Sequence, residues 1–502
     1  MGLCQSEPME SASTSAAGSD RAARTAGQAV DAVVVGAGPN GLTAAIALAE
    51  SGLEVVVYEA AGAVGGGART EELVPGFRYD PCSGAHPTGA GSPVFARMPL
   101  AKHGLEWVQP ELPMAHPFPD GSAAVLSRSV AETAESLGPD ASAYRRLMAP
   151  FAGRWPQLVD AVMRPPLAGP PRHPVLSARM GSYGVLPATV LQRRFAAERA
   201  RGLFAGMAGH GSAPLTSPLT AGFGMMFALS GHDVGWPVAR GGSQAIADAL
   251  AGYLRSLGGV IHTNRRIRTM AELPRARAYL FDTAPEGLLE IAGDRLPARS
   301  ARSLARYRRG LSVFKLDYAL DGPMPWTSPD ARRAGTIHLG PTATEINASL
   351  TTASRGRMPE VPFLLTGQPT VADPGRAPEG KHVFWAYGHV PYGWDGDATE
   401  AIERQIERFA PGFRDLVLAR RVTTPADLEA HNPNNVNGGI SVGSTAGLNA
   451  LFRPTFAPVP YATGNPSVFL CSSATPPGPG VHGLCGEYAA RTALRRVFGR
   501  RR

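Results

Sequence analysis

Ala32-Val33-Val34-Val35-Gly36-Ala37-Gly38-Pro39-Asn40-Gly41 is the stretch that decides the fold of this 502-residue chain. A short β-branched run reads as a buried parallel strand. It enters a glycine turn of the form G-x-G-x-x-G and continues into an Ala-rich helix, Gly41–Ser51, that ends at Gly52. Glu54–Tyr58 reads as a second buried strand, completing the first βαβ unit of a dinucleotide-binding fold. Gly36 permits the tight turn, Gly38 lets the backbone approach a diphosphate, and Gly41 allows close helix–strand packing. Pro39 and Asn40, between these glycines, are assigned to the same cofactor site. The helix N-terminus adds N–H groups and a partial positive charge for the phosphates. Glu59, at the tip of the second strand, is placed to bind the adenosine ribose hydroxyls.

That much does not separate FAD from NAD. Gly65-Gly66-Gly67-Ala68-Arg69-Thr70 follows at once and resembles the second glycine motif of FAD oxidoreductases. Gly66 and Gly67 bring backbone against the ribityl–diphosphate portion. Arg69 neutralises phosphate or contacts the flavin, its bland alternative being a pair with Glu71 or Glu72. At the far end Val468–Cys471 reads as a strand, followed by a Gly/Pro loop through Gly480, Val481 and His482 and a closing helix from about Cys485 to Val497. Backbone N–H groups of Gly480 and Val481 are placed to stabilise charge at the flavin.

With these motifs in hand, the chain resembles the phytoene-desaturase-like FAD/NAD(P)-dependent oxidoreductases, and above all the pyridine nucleotide-disulfide oxidoreductase domain-containing protein 2 group. The likeness is carried by Gly38–Leu42, Gly66-Gly67-Ala68, Thr70-Glu71-Glu72, Pro75-Gly76-Phe77 and Gly241-Gly242-Ser243. It implies an α/β fold: a glutathione-reductase-like FAD-binding Rossmann domain with an inserted α+β substrate domain. Residues 31–100, 236–300 and 425–502 then form the discontinuous FAD domain, and 101–235 with 301–424 the substrate domain. It also implies that Ile267 is a strand residue packing on the adenine side. Ser472 and Ala474 depart from the glycines of many relatives, no Asp in this loop holds the ribityl chain, and His482 replaces a frequent Pro.

Composition bounds the rest. The net charge of +8 is almost wholly arginine, the only lysines being Lys102, Lys315 and Lys381. No nucleic-acid motif accompanies it, so nucleic acid is not expected as a partner. Four cysteines show no CxxC pair and no metal spacing, which fits a reducing cytoplasm and no metal. No apolar run is long enough to span a membrane, and residues 1–30 read as a disordered tail without a signal-peptide core. The opening Met-Gly-Leu-Cys-Gln-Ser fits a myristoylation pattern, most simply by chance. Further along, Asp140–Met163 reads as one long helix, Arg164–Pro174 as a Pro-rich break, and Val260–Ile267 as a strand.

No second dinucleotide fingerprint follows, so no built-in nicotinamide site is expected, and the missing CxxC argues against disulfide reduction. The expected chemistry is dehydrogenation of a small hydrophobic substrate by hydride transfer to flavin N5, with oxygen, a quinone or another acceptor taking the electrons. A flavin amine oxidase, a redox-neutral isomerase and a regulatory flavoprotein are the alternatives. His86 and His482 are the acid–base candidates, with His210 and His232 behind them, although a lone histidine is more often structural. The apolar stretch Phe204–Leu229, with Phe223, Met225, Met226 and Phe227, suits a lipophilic tunnel or simply a core. Arg193–Arg201, Arg299–Arg309 and Arg495–Arg502 offer a peripheral membrane contact, or a solvated basic face.

Overall fold

The computed structural model describes residues 29–165, 167 and 169–500. Residues 1–28, with the myristoylation-like opening, lie outside these, as do Arg501 and Arg502. Five parallel strands form one sheet in the order Val468–Leu470, Ala276–Phe281, Val30–Val35, Val55–Tyr58, Val260–His262. The central runs Ala32–Val35 and Val55–Val57 are apolar and buried, as strands covered on both faces require, while the edge strand Val260–His262 is half-buried. Register brings Phe281, Val35 and Tyr58 level across the three central strands. Gly36, Glu59 and Asp282 therefore emerge side by side at the carboxyl ends, where open α/β sheets bind ligands.

The glycine-turn helix, Pro39–Ala49, starts with Pro at its first position, where the missing N–H costs nothing. The closing helix, Leu484–Val497, packs on it so closely that a Cβ at Gly486 would lie 1.9 Å from the Asn40 carbonyl oxygen. A glycine is required there by backbone contact alone.

A second sheet has seven strands, in the order Val417–Thr423, Ser312–Leu320, His382–Val390, Leu364–Gly367, Ala334–Leu339, Leu112–Pro117, Ala123–Leu126. All neighbours are antiparallel except Ala334–Leu339 with Leu112–Pro117. One face buries Ala115, Ile337, Leu364 and Ala386 in a core of its own. The other sends Met114 and Leu365 into the larger core shared with the helices Glu198–Gly209 and Thr220–Asp233. The period-two alternation of each strand divides the two cores.

Three local expectations change. The helix expected over Asp140–Met163 is two, Ala141–Met148 and Trp155–Val162, because Pro150 and the left-handed Gly153 interrupt it. Pro174 opens the next helix, Pro174–Gly184, at the end of the Pro-rich break. The strand expected to reach Ile267 stops at His262, and Asn264, at φ 54°, turns the chain over the neighbouring strand tip. There Asn264 N–H donates to Ala61 O and Arg265 N–H to Glu59 O. Ile267 is thus a loop residue, buried against the dinucleotide sheet.

Candidate functional site

A cavity of about 1170 Å³ links the carboxyl ends of the first sheet to the face of the second. It exceeds the roughly 300–1,000 Å³ of an ordinary small-molecule pocket, leaving room for two ligands. Of the residues assigned to the cofactor, Gly36, Gly38, Pro39, Asn40, Glu59, Gly66, Gly67, Arg69, Ile267, Gly480 and Val481 line it.

Gly41 does not. Its N–H donates to Asp282 Oδ2 at 2.8 Å, and a Cβ there would sit 2.1 Å from Gly36 O, so its role is packing rather than contact. Asp282 itself lines the cavity, is 6% exposed, and went unnoticed in the sequence. Burial holds its carboxyl up at about 7, despite the N–H bonds from Gly41 and Gly38 and with added repulsion from Glu59. The signal was an acid at a strand tip; what was lacking was the pairing of Ala276–Phe281 with the first strand, a long-range contact.

Glu59 is held by its own turn. Oε2 accepts from Ala37 N–H and Oε1 from Ala61 N–H, both at 2.8 Å, which fixes the carboxylate beside the glycine turn. The two glycine motifs touch: Gly65 N–H donates to Ala37 O, and a Cβ on Gly66 would lie 3.2 Å from Gly38 Cα. Arg69 turns back on this loop, Nε donating to Gly66 O at 2.9 Å and Nη2 to His431 O. Glu71 instead takes Tyr79 and His431. Asn40 Nδ2 reaches Ser473 Oγ at 3.3 Å, joining the N-terminal turn to the C-terminal loop, while its Oδ1 is buried without a partner.

His86 and His482 stand behind the wall rather than on it. His86 Nε2 lies 2.8 Å from Ser243 Oγ, tying its loop to the start of the helix Gln244–Ser256. His482 Nδ1 accepts from Leu484 N–H at 3.1 Å. Burial pushes both rings down to about 4, so both are neutral at ordinary pH. Their loops do surround the cavity, but side-chain direction in an irregular loop has no periodicity to read. His232 is likewise structural, bridging Tyr144 OH and Ser127 O at 2.8 Å each. His210, by contrast, lines the cavity.

A buried ionic knot fastens the second sheet to the cofactor loops. Asp80 accepts from Arg376 Nη2 (2.8 Å), Thr70 Oγ1 (2.6 Å) and Ser243 N–H (2.9 Å). Lys315 Nζ donates to Asp80 O at 2.9 Å and to Asp317. Removing one member of such a set leaves buried charge uncompensated.

The remaining wall is largely apolar. Along Thr220–Asp233, Gly222, Phe223, Met226, Phe227 and Ser230 face the cavity at helical spacing, while Met225, Ala228 and Leu229 face the core. Trp385 and Tyr387 line the sheet side, their rings stacked at 6.0 Å and 13°. Arg164 is the one charged lining residue contributed by this half among the described residues. Cys471 and Cys485 are buried with thiols pushed up by burial, Cys485 to about 11, which suits packing rather than redox work. Parts of the arginine runs are spent internally: Arg199 Nη1 donates to Ser122 Oγ at 2.9 Å, and Arg309 pairs with Glu286. No described helix is long and apolar enough to cross a membrane.

Comparison with known proteins agrees with a Rossmann-like fold. Residues 34–98 match the model of an NAD(P)-binding Rossmann-like domain. Pyridine nucleotide-disulfide oxidoreductase domain-containing protein 2 from Mus musculus is 27% identical, with 93% of each chain covered. A phytoene dehydrogenase from Streptomyces griseus is also 27% identical, over 93% of this chain and 95% of its own. The solved structure of cyclohexylamine oxidase from Brevibacterium oxydans matches in fold with a TM-score of 0.57 at 15% identity, covering 94% of this chain and 98% of its own.

Proposed function

The chain's likeness to phytoene-desaturase-like oxidoreductases runs along nearly its whole length, and from that premise we propose an FAD-dependent oxidoreductase that dehydrogenates a hydrophobic substrate such as a polyene. The observation that carries the reading is one continuous cavity, in which a dinucleotide cradle at three strand tips opens directly onto an apolar chamber. The residues present fit FAD. Gly38 and Gly66 line the cavity with backbone alone, Glu59 would meet the ribose hydroxyls, and Asn40 Oδ1, buried without a partner, would be free to accept from a cofactor hydroxyl. Bound there, FAD would supply the two-electron acceptor that dehydrogenation needs.

The protein's own part is positioning and water exclusion. Phe223, Met226 and Phe227 remove an apolar chain from water, and Trp385 and Tyr387 present flat faces against unsaturated carbon. Neutral His86 and His482 hold loops and do not carry protons to the substrate. Oxygen, a quinone or another acceptor would regenerate the enzyme.

Amine oxidation is the second reading. The fold shared with cyclohexylamine oxidase and the stacked Trp385–Tyr387 pair favour it. The absence of any carboxylate from the chamber half, among the described lining residues, weighs against recognition of an ammonium group. An anaerobic screen of the purified protein with polyenes, amines and NAD(P)H distinguishes the readings. Bleaching of the flavin band by a polyene supports the first, bleaching by an amine supports the second, and bleaching by neither removes both.

A further inference from the structure

Among the polar side chains on the largely apolar chamber wall, which also carries Arg164, Ser177, Ser230 and Thr336, two stand close together in sequence and share one kind of backing. His210 follows the helix Glu198–Gly209, and Ser212, at φ 50°, comes two residues later; both line the cavity. Each is backed by a fully buried histidine of the seven-stranded sheet. His210 Nε2 lies 2.9 Å from His338 Nε2, and Ser212 Oγ lies 2.9 Å from His389 Nε2. Aromatic contacts fix the His210 ring, stacked on Phe227 at 4.2 Å and edge-on to Trp236 at 5.4 Å. Ordered rings and buried backing partners make this a built feature rather than a stray polar residue.

Its place in the chamber follows from one strand. Trp385, Tyr387 and His389 alternate along His382–Val390. Trp385 abuts the cofactor side, since a Cβ on Gly84 would lie 3.0 Å from its Nε1. It stacks on Tyr387, which meets His389 edge-on at 5.8 Å. At a strand rise of about 3.3 Å per residue, His389 lies on the order of 13 Å from Trp385. The polar pairs are therefore remote from the glycine loops.

Charge decides what they can hold. Burial drives His210 down to about 3, with His389 adding repulsion, and His389 down to about 4. His338 falls well below the usual imidazole value, and the nearby His116 falls to about 4. The carboxylates that line the cavity, Glu59, Asp282, Glu286, Glu290 and Glu429, all come from outside the chamber's helices and sheet. Neutral imidazole and hydroxyl can each donate or accept one hydrogen bond. They offer no charge to a carboxylate and no acceptor strong enough to desolvate an ammonium ion.

We propose that His210 and Ser212, held by His338 and His389, form a two-point site for a neutral oxygen function, a hydroxyl or carbonyl, at one end of an otherwise apolar substrate. The inference rests on the proposed oxidoreductase reading for taking the chamber as the substrate site. The pairs position the substrate and take no part in electron transfer.

The test is binding of farnesene, farnesol, farnesal, farnesoic acid and farnesylamine to the protein as purified, read by quenching of tryptophan fluorescence, since Trp236 and Trp385 line the cavity. Farnesol and farnesal should bind roughly tenfold more tightly than farnesene, the gain of one or two neutral hydrogen bonds. His210→Phe keeps the ring stack, and Ser212→Gly suits the left-handed backbone. Each should bring farnesol toward the level of farnesene, and the two together to it, without changing farnesene itself. Equal binding of hydrocarbon and alcohol by the unaltered protein, tightest binding of the acid or amine, or equal loss of every ligand in both variants would overturn the proposal. Anaerobic flavin spectra of the same samples separate the two readings: selective binding of the oxygenated ligands without bleaching by any ligand upholds this site and removes the oxidoreductase reading.

Discussion

The two ends of the cavity are built on opposite principles. The dinucleotide end is made of backbone. Gly36, Glu59 and Asp282 follow three adjacent strands in register, and each is held by backbone N–H groups or by direct packing on neighbouring backbone. The chamber end is made of side chains, chiefly the exposed stripe of one helix and one strand face. Geometry at the first end tolerates almost no substitution, because a misplaced Cβ meets carbonyl oxygen. At the second, one side chain can replace another of similar volume. The contrast predicts cofactor binding that is all-or-none at one end and substrate preference that is graded at the other.

The largest effect is expected at Gly38. A Cβ there would lie 2.6 Å from Asp282 Oδ2, and Gly38→Glu adds a second negative charge beside it. The protein should purify without FAD and resist reconstitution, as read by its visible spectrum. Glu59→Ala comes next. Loss of charge-assisted hydrogen bonds of about 1.5–3 kcal/mol predicts FAD affinity weakened at least tenfold, measured by titration of the apoprotein. Wild-type affinity for apolar ligands should be kept in this variant if the two ends are independent.

Asp282 gives the contrast a pH dependence. Its carboxyl is raised to about 7, chiefly by burial. A raised acid contributes stability that is full below its ordinary value near 3.8 and is lost as pH rises through about 7. A neutral carboxyl at this position would also tolerate a bound diphosphate more readily than a carboxylate would. FAD retention should therefore weaken by about tenfold between pH 6 and pH 8. Asp282→Asn should flatten that profile while keeping the dinucleotide site.

The smallest effect belongs to the chamber. Met226→Ala removes part of a lining side chain whose full burial contributes about 1.5–3 kcal/mol, so KM for an apolar substrate should rise by up to about tenfold. FAD content should be unchanged. A drop in FAD content in this variant would show that the two ends are coupled after all.

How much of this was legible in the sequence divides along the same line. The glycine turns, Glu59 and the Gly480–Val481 loop could be placed at the cavity because their signals are local: a turn residue, a strand tip and a helix start announce themselves by spacing. Gly41 was read correctly as packing yet also assigned as a contact, since spacing cannot show that its N–H is already taken by Asp282. Asp282 itself needed a strand pairing between segments some 246 residues apart, Val35 beside Phe281. His86 and His482 were visible only as residues in the right loops, and neither lines the cavity: His86 Nε2 meets Ser243 Oγ and His482 Nδ1 accepts from Leu484 N–H. His210 earned less notice than either, because its partner His338 lies on a distant strand. Ile267 failed as a strand residue because Asn264 turns the chain left-handed just before it.

The central claim is that one cavity holds FAD at its backbone end and a hydrophobic substrate at its side-chain end. The most direct measurement is the visible spectrum of the purified protein, followed through denaturation and then through anaerobic titration with a polyene. The account predicts yellow protein that releases FAD on denaturation, with a flavin band that bleaches on addition of the polyene. Colourless protein that cannot be reconstituted with FAD would contradict it.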